Sequence, residues 1–149
     1  MRFGTAGVPV SCKERSSYAG IQCAKDLGLD AFELEFVQGC RMKPEKGTEC
    51  GELAKKLGIS LSCHASYYLN FLSPENAKLE KSHKEMMTTA RVINSAGGGR
   101  MAFHTAFYLG MPADKAYDKV KTEFKQLLSN IKKEDLNATL APEVTGKPS

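Results

Sequence analysis

Five short, nearly continuous apolar runs alternate with stretches of helical periodicity, and this rhythm constrains the chain more than any single residue. The runs are Phe3–Pro9, Ala31–Val37, Ile59–His64, Arg100–His104 and Ala138–Val144. Runs of that kind suit strands covered on both faces. Between them, Ser17–Leu27 sets Tyr18, Ile21, Ala24 and Leu27 along one helical face, with Ser16 or Ser17 as N-cap and Gly28 as the stop. Thr48–Leu57 reads as a shorter helix ended by Gly58. Ser73 and Pro74 suit the N-cap and first position of a third helix, which runs to about Ser95 with a stripe of Leu79, Met86, Ala90 and Ile93 before Gly97-Gly98-Gly99. Ala113–Ile131 is the clearest helix, with Tyr117, Val120, Phe124, Leu127 and Ile131 at steps of 3 and 4 and lysines on its solvated face.

Alternation of this kind favours a parallel sheet with right-handed crossovers. Eight such units, typically about 250 residues, close a (β/α)8 barrel. The 149 residues supply about five parallel strands alternating with four helices. The expected fold is therefore α/β, a partial TIM barrel, with residues 1–149 as its N-terminal part and a missing C-terminal half to complete it. Alone, the first and fifth strands would be open edges.

Composition narrows the setting. At 42% apolar and 26% charged, the chain has enough apolar material for a packed core. No apolar stretch approaches the roughly 20 residues that span a bilayer, and the N-terminus has no signal-peptide core, so a cytoplasmic location is expected. A net charge of +4 permits nucleic-acid contact without arguing for it. The cysteines, Cys12, Cys23, Cys40, Cys50 and Cys63, are odd in number and form no C-x-x-C pair, so reduced thiols are expected.

Three of the apolar runs end in a metal-ligand type. Leu61-Ser62-Cys63 leads to His64, Met101-Ala102-Phe103 to His104, and Leu140-Ala141-Pro142 to Glu143, at intervals of 40 and 39 residues. One strand plus one helix fills such an interval, so the three side chains emerge at the same edge of the sheet. Neighbouring strands lie about 4.8 Å apart, which lets two imidazoles and a carboxylate converge on one ion. Three protein ligands with an open fourth position suit catalytic zinc, and the C-terminal edge of such a sheet is where active sites lie.

The segments His64-Ala65-Ser66-Tyr67-Tyr68-Leu69-Asn70, Phe103-His104 and Ala141-Pro142-Glu143-Val144-Thr145-Gly146-Lys147 give the chain a family likeness. It resembles the endonuclease IV family of apurinic/apyrimidinic endonucleases, within the xylose isomerase-like TIM-barrel superfamily, whose His-x-x-Tyr-x-x-Asn, Phe-His-Pro-Gly and Glu-x-Thr-x-Gly segments occur in this order. Leu79-Glu80-Lys81-Ser82 resembles the helix after the family's first histidine. The resemblance implies zinc-dependent hydrolysis of a phosphodiester at abasic sites in DNA. It implies up to three zinc ions in the complete site, with His64, His104 and Glu143 as ligands to one and Glu143 catalytic as a bridge to a second. Tyr67, Tyr68 and Asn70 match the loop that contacts DNA, where an aromatic wedge replaces stacking lost on kinking. Two departures stand out: His104-Thr105-Ala106 replaces His-Pro-Gly, and ligands from later strands are absent from this sequence.

Blander readings stand beside these. Glu143 could cap a following helix. Glu33 and Glu35 share one face of the second strand, where they could contact metal-bound water or pair with Lys or Arg, the pairing being the stronger expectation. His83 lies among Lys81, Lys84 and Glu85 and reads as solvent-facing; Arg41 and Lys43 read as a solvated loop. Gly97-Gly98-Gly99 follows a helix, so it is no phosphate cradle. The alternatives to a nuclease are a metal-dependent sugar isomerase or epimerase of the same superfamily, whose sites lean on carboxylates, and a non-catalytic barrel remnant.

Overall fold

The computed structural model describes residues 1–144. The strands are β1 (Gly4–Ala6), β2 (Ala31–Glu35), β3 (Ser60–His64), β4 (Gly99–His104) and β5 (Ala138–Glu143), and the helices are α1 (Ser17–Asp26), α2 (Pro44–Leu57), α3 (Asn76–Ser95) and α4 (Ala113–Lys133). The strands form one parallel sheet in sequential order, as a partial TIM barrel requires. Ser16 caps α1 by accepting from the Ala19 N–H at 3.1 Å, and Gly58 closes α2 in the left-handed region at φ 72°. Two helix starts differ from expectation. Pro44 opens α2 a turn ahead of Thr48. Ser73 instead closes a turn ahead of α3, its Oγ accepting from the Glu75 N–H at 3.2 Å.

Strand alternation divides the sheet. Phe32, Leu34, Cys63, Met101 and Phe103 are buried on the helix-covered side. The alternate positions, Ala31, Glu33, Glu35, Ser62, His64, Ala102 and His104, form the inner face. TIM-barrel interiors are usually filled by bulky branched side chains; here that face is small and polar and ends in titratable groups. The helix side is anchored by edge-on packing of Phe71, Phe103 and Phe124, with ring centroids 5.5–6.3 Å apart.

Two expectations are corrected. Cys12 and Cys23 form a disulfide. The β1–α1 loop folds back on itself, with the Cys12 N–H donating to Pro9 O at 3.0 Å, and this brings Cys12 over α1. Spacing alone carried no sign of that reversal. Cys40, Cys50 and Cys63 are free, and burial pushes the Cys40 thiol up to about 11. His83 is not solvent-facing. Its ring is edge-on to Phe71 and its Nε2 lies 2.7 Å from Glu123 Oε2, because α4 packs over it. Neighbours in sequence could not reveal a partner forty residues away.

The α2–α3 contact depends on glycine. A Cβ on Gly51 would meet the Ala96 backbone, with the carbonyl carbon at 2.6 Å. Helix propensity alone makes Gly→Ala worth about 1 kcal/mol of stabilisation. We expect Gly51→Ala instead to destabilise by about 1–3 kcal/mol, measured by urea denaturation; a stabilised variant would contradict this packing.

Candidate metal centre

His64, His104 and Glu143 meet at the C-terminal edge of the sheet. His104 and Glu143 are paired in register across β4 and β5, whereas His64 stands level with Ala102. The short side chains of Ala102 and Ala141 leave room for the His64 ring to reach across β4 to Glu143. His64 Nε2 lies 3.2 Å from Glu143 Oε2, and His104 Nε2 lies 3.5 Å from the same oxygen. One ligand atom from each residue falls within 4.8 Å of the others, so the group is able to hold a metal ion. Side-chain exposure rises from 7% at His64 through 30% at His104 to 51% at Glu143, so the cluster is held from below and open above.

The His64 tautomer tests the fit to a cation. Its Nδ1 lies 2.8 Å from Ala65 O, which can only accept, so Nδ1 carries the proton. Nε2 then turns its lone pair toward a carboxylate oxygen. The His64 Nε2 lone pair and the Glu143 oxygen then face each other as acceptors, an arrangement that a cation or an added proton relieves. A carbonyl orienting the second ring nitrogen is the usual support of a metal-binding histidine. The donor set of two imidazole nitrogens and one carboxylate oxygen suits a divalent metal ion.

Tyr67 walls the site. Its ring stacks on His104, with centroids 4.9 Å apart and planes 13° from parallel, and meets His64 edge-on at 4.9 Å. Burial raises its hydroxyl pKa, with Glu35, Glu143 and Glu33 adding to the rise, so it stays protonated. Tyr68, beside it, is 74% exposed. Asn70 is engaged with its own scaffold: its Oδ1 accepts from the Leu72 N–H at 3.0 Å and the Phe107 N–H at 3.4 Å. Thus the structure gathers the two histidines, Glu143 and Tyr67, leaves Tyr68 free and turns Asn70 into a loop brace. Thr145, Gly146 and Lys147 lie outside the described residues.

Glu35 and Glu33 take no Lys or Arg partner among the described residues. Glu33 accepts from the Ser62 hydroxyl at 2.6 Å. Glu35 stands level with His64 on the inner face. Sequence reasoning passed over Phe107, Tyr108 and Leu109, which are exposed just beyond His104. Three apolar residues in a loop were the available signal.

Comparison with known proteins follows the fold. A family profile described as a xylose isomerase-like TIM barrel matches residues 21–148. An uncharacterized protein of Methanocaldococcus jannaschii, MJ0133, is 34% identical over 145 residues, covering 97% of this chain and 51% of that protein. Endonuclease IV from Thermus thermophilus superposes with a TM-score of 0.74 at 17% identity, over 100% of this chain and 54% of that one. A D-psicose 3-epimerase, solved in the presence of D-fructose, superposes with a TM-score of 0.69 at 19% identity, over 99% and 53%. The chain therefore spans about half the length of these relatives. Among the described residues no helix is long and apolar enough to cross a membrane.

Glu35 gives a test by pH. Burial raises its pKa above 4.5; His64 opposes the rise, while Glu33 and Glu143 add to it. The native state therefore holds this proton more tightly than the unfolded chain. The stability it contributes is complete below the unfolded value and is lost as pH rises through the native one. In metal-free protein, Glu35→Gln is expected to unfold at higher urea than the parent at about pH 7 and at the same urea below about pH 4; equal stability at both would contradict the burial of this carboxyl.

Proposed function

The chain belongs to the xylose isomerase-like TIM barrel family, and on that premise we propose that it carries part of the active site of a zinc-dependent phosphodiesterase acting at abasic sites in DNA. The single observation behind the reading is the ligand set: two imidazole nitrogens and a carboxylate oxygen within 4.8 Å of one another. Imidazole favours zinc, whereas sites for Mg²⁺ or Mn²⁺ lean on oxygen. The fold similarity to endonuclease IV is consistent with it. Because the chain spans about half of its relatives, the reading makes residues 1–149 the N-terminal part of a barrel domain, with further metal ligands supplied by strands outside it.

His64 and His104 would hold the ion through Nε2 and Glu143 through Oε2. When bound, zinc supplies Lewis acidity toward the phosphodiester and lowers the pKa of a coordinated water. The Ala65 carbonyl keeps the His64 proton on Nδ1, so Nε2 is always presented to the ion. Tyr67, stacked on His104, would hold that ring and cover one of its faces. Glu143 is half exposed, so its carboxylate is available to a second partner on the open side. Tyr68 is the free aromatic of the loop and would meet the DNA at the lesion; Asn70 holds the loop in place.

A second reading has its own observation. Glu35 is a carboxyl raised by burial and level with His64, as suits proton exchange at a carbon beside a sugar carbonyl. The fold similarity to D-psicose 3-epimerase accords with a sugar epimerase. The two separate by assay. The full-length protein should incise duplex DNA carrying one abasic site, and chelator should abolish incision. Loss of a metal ligand in His104→Ala should lower the rate by more than the roughly 10–100-fold that an outer-shell partner costs. Turnover of a ketohexose without incision would overturn the nuclease reading in favour of the epimerase.

A further inference from the structure

Phe107, Tyr108 and Leu109 are consecutive exposed apolar residues, 43%, 45% and 68% accessible, at the tip of the β4–α4 loop. Contiguous apolar exposure generally marks a contact surface. Here the backbone enforces it. Leu109 and Gly110 both lie in the left-handed region, at φ 49° and 80°, and the Met111 N–H closes the turn on Tyr108 O at 2.8 Å. A leucine held at positive φ is strained, as is common in ligand-contacting segments. The tip is also tied to the metal-site loop: the Phe71 N–H donates to Thr105 O at 3.3 Å, and Asn70 Oδ1 bridges the Leu72 and Phe107 amides.

Charge indicates what this surface meets. The loops that follow β1–β4, on the rim of the metal centre, carry Lys13, Arg15, Arg41 and Lys43 against Glu14 and Glu75. The loops leading into β2–β5, on the far rim, carry Asp30, Glu134 and Asp135 and no basic side chain. A cationic rim with an exposed aromatic tip suits a single-stranded polyanion whose bases are free to stack. Tyr67 cannot serve that role without leaving its stack on His104.

We propose that Phe107-Tyr108-Leu109, braced by Asn70, is a stacking platform for an unpaired nucleotide base of the DNA bound at the metal centre. This deepens the nuclease reading and rests on it. The base would lie on the Tyr108 ring, with Leu109 supporting its edge, while the basic rim follows the backbone.

The test is binding without chemistry. Fluorescence anisotropy in chelator would measure the affinity of the full-length protein for a labelled single strand and for an abasic duplex, across a salt series. Tyr108→Ala and Tyr108→Leu should each weaken binding roughly 5- to 150-fold, the loss of one base–aromatic stack, and Tyr108→Phe should bind like the parent. The salt slope should not change, because no phosphate contact is lost. Parent binding with Tyr108→Ala and Tyr108→Leu unaffected would overturn the platform and leave the nuclease reading standing. A reduced salt slope in both would also overturn it, making Tyr108 a support for phosphate contacts. No DNA binding by the parent would overturn both.

Discussion

Everything at the C-terminal rim turns on one carboxylate oxygen that two imidazoles approach together. Glu143 Oε2 lies within 3.2 Å of His64 Nε2 and 3.5 Å of His104 Nε2. His64 cannot relieve the contact by changing tautomer, because Ala65 O holds the proton on Nδ1. An imidazole lone pair turned toward a carboxylate oxygen is unfavourable without a proton or cation between them, and a bound cation would relieve it. The β-register sets its position: His104 and Glu143 are direct neighbours, and His64 reaches them over Ala102 and Ala141.

Much of this was legible in the chain. Apolar runs spaced by one strand and one helix specified a parallel sheet in sequential order, and parallel alignment places every C-terminal strand residue on the same rim. His64, His104 and Glu143 could therefore be named from position alone. What stayed hidden depends on how chain segments fold back. The Cys12–Cys23 bond needs a loop reversal that residue spacing does not encode. The burial of His83 needs α4 laid over α3, forty positions on. Asn70 matched a family position, but its use as a brace depends on two loops that meet only in the fold. The Phe107–Leu109 tip was a readable run of apolar residues, overshadowed by the histidine beside it.

The fold itself does not decide the chemistry. Both endonuclease IV and D-psicose 3-epimerase share it at similar levels of superposition, as expected of a scaffold that varies its loops. Function therefore has to be argued from the rim. There, nitrogen-rich ligands, a net basic set of loops and exposed aromatic side chains point one way. The half-buried Glu35 carboxyl points the other. The aromatic residues differ in setting: Tyr67 stacks on His104, while Tyr68 and Tyr108 are exposed.

The claim beneath all of this is that His64, His104 and Glu143 bind one ion together. X-ray absorption at the zinc edge, on protein loaded with about one equivalent, reads the ligands directly. The account expects two imidazole nitrogens at about 2.0–2.1 Å, with the remaining shell from oxygen and no sulfur, and loss of one imidazole in His104→Ala. A sulfur-rich shell, or an unchanged spectrum in that variant, would mean that the metal sits elsewhere.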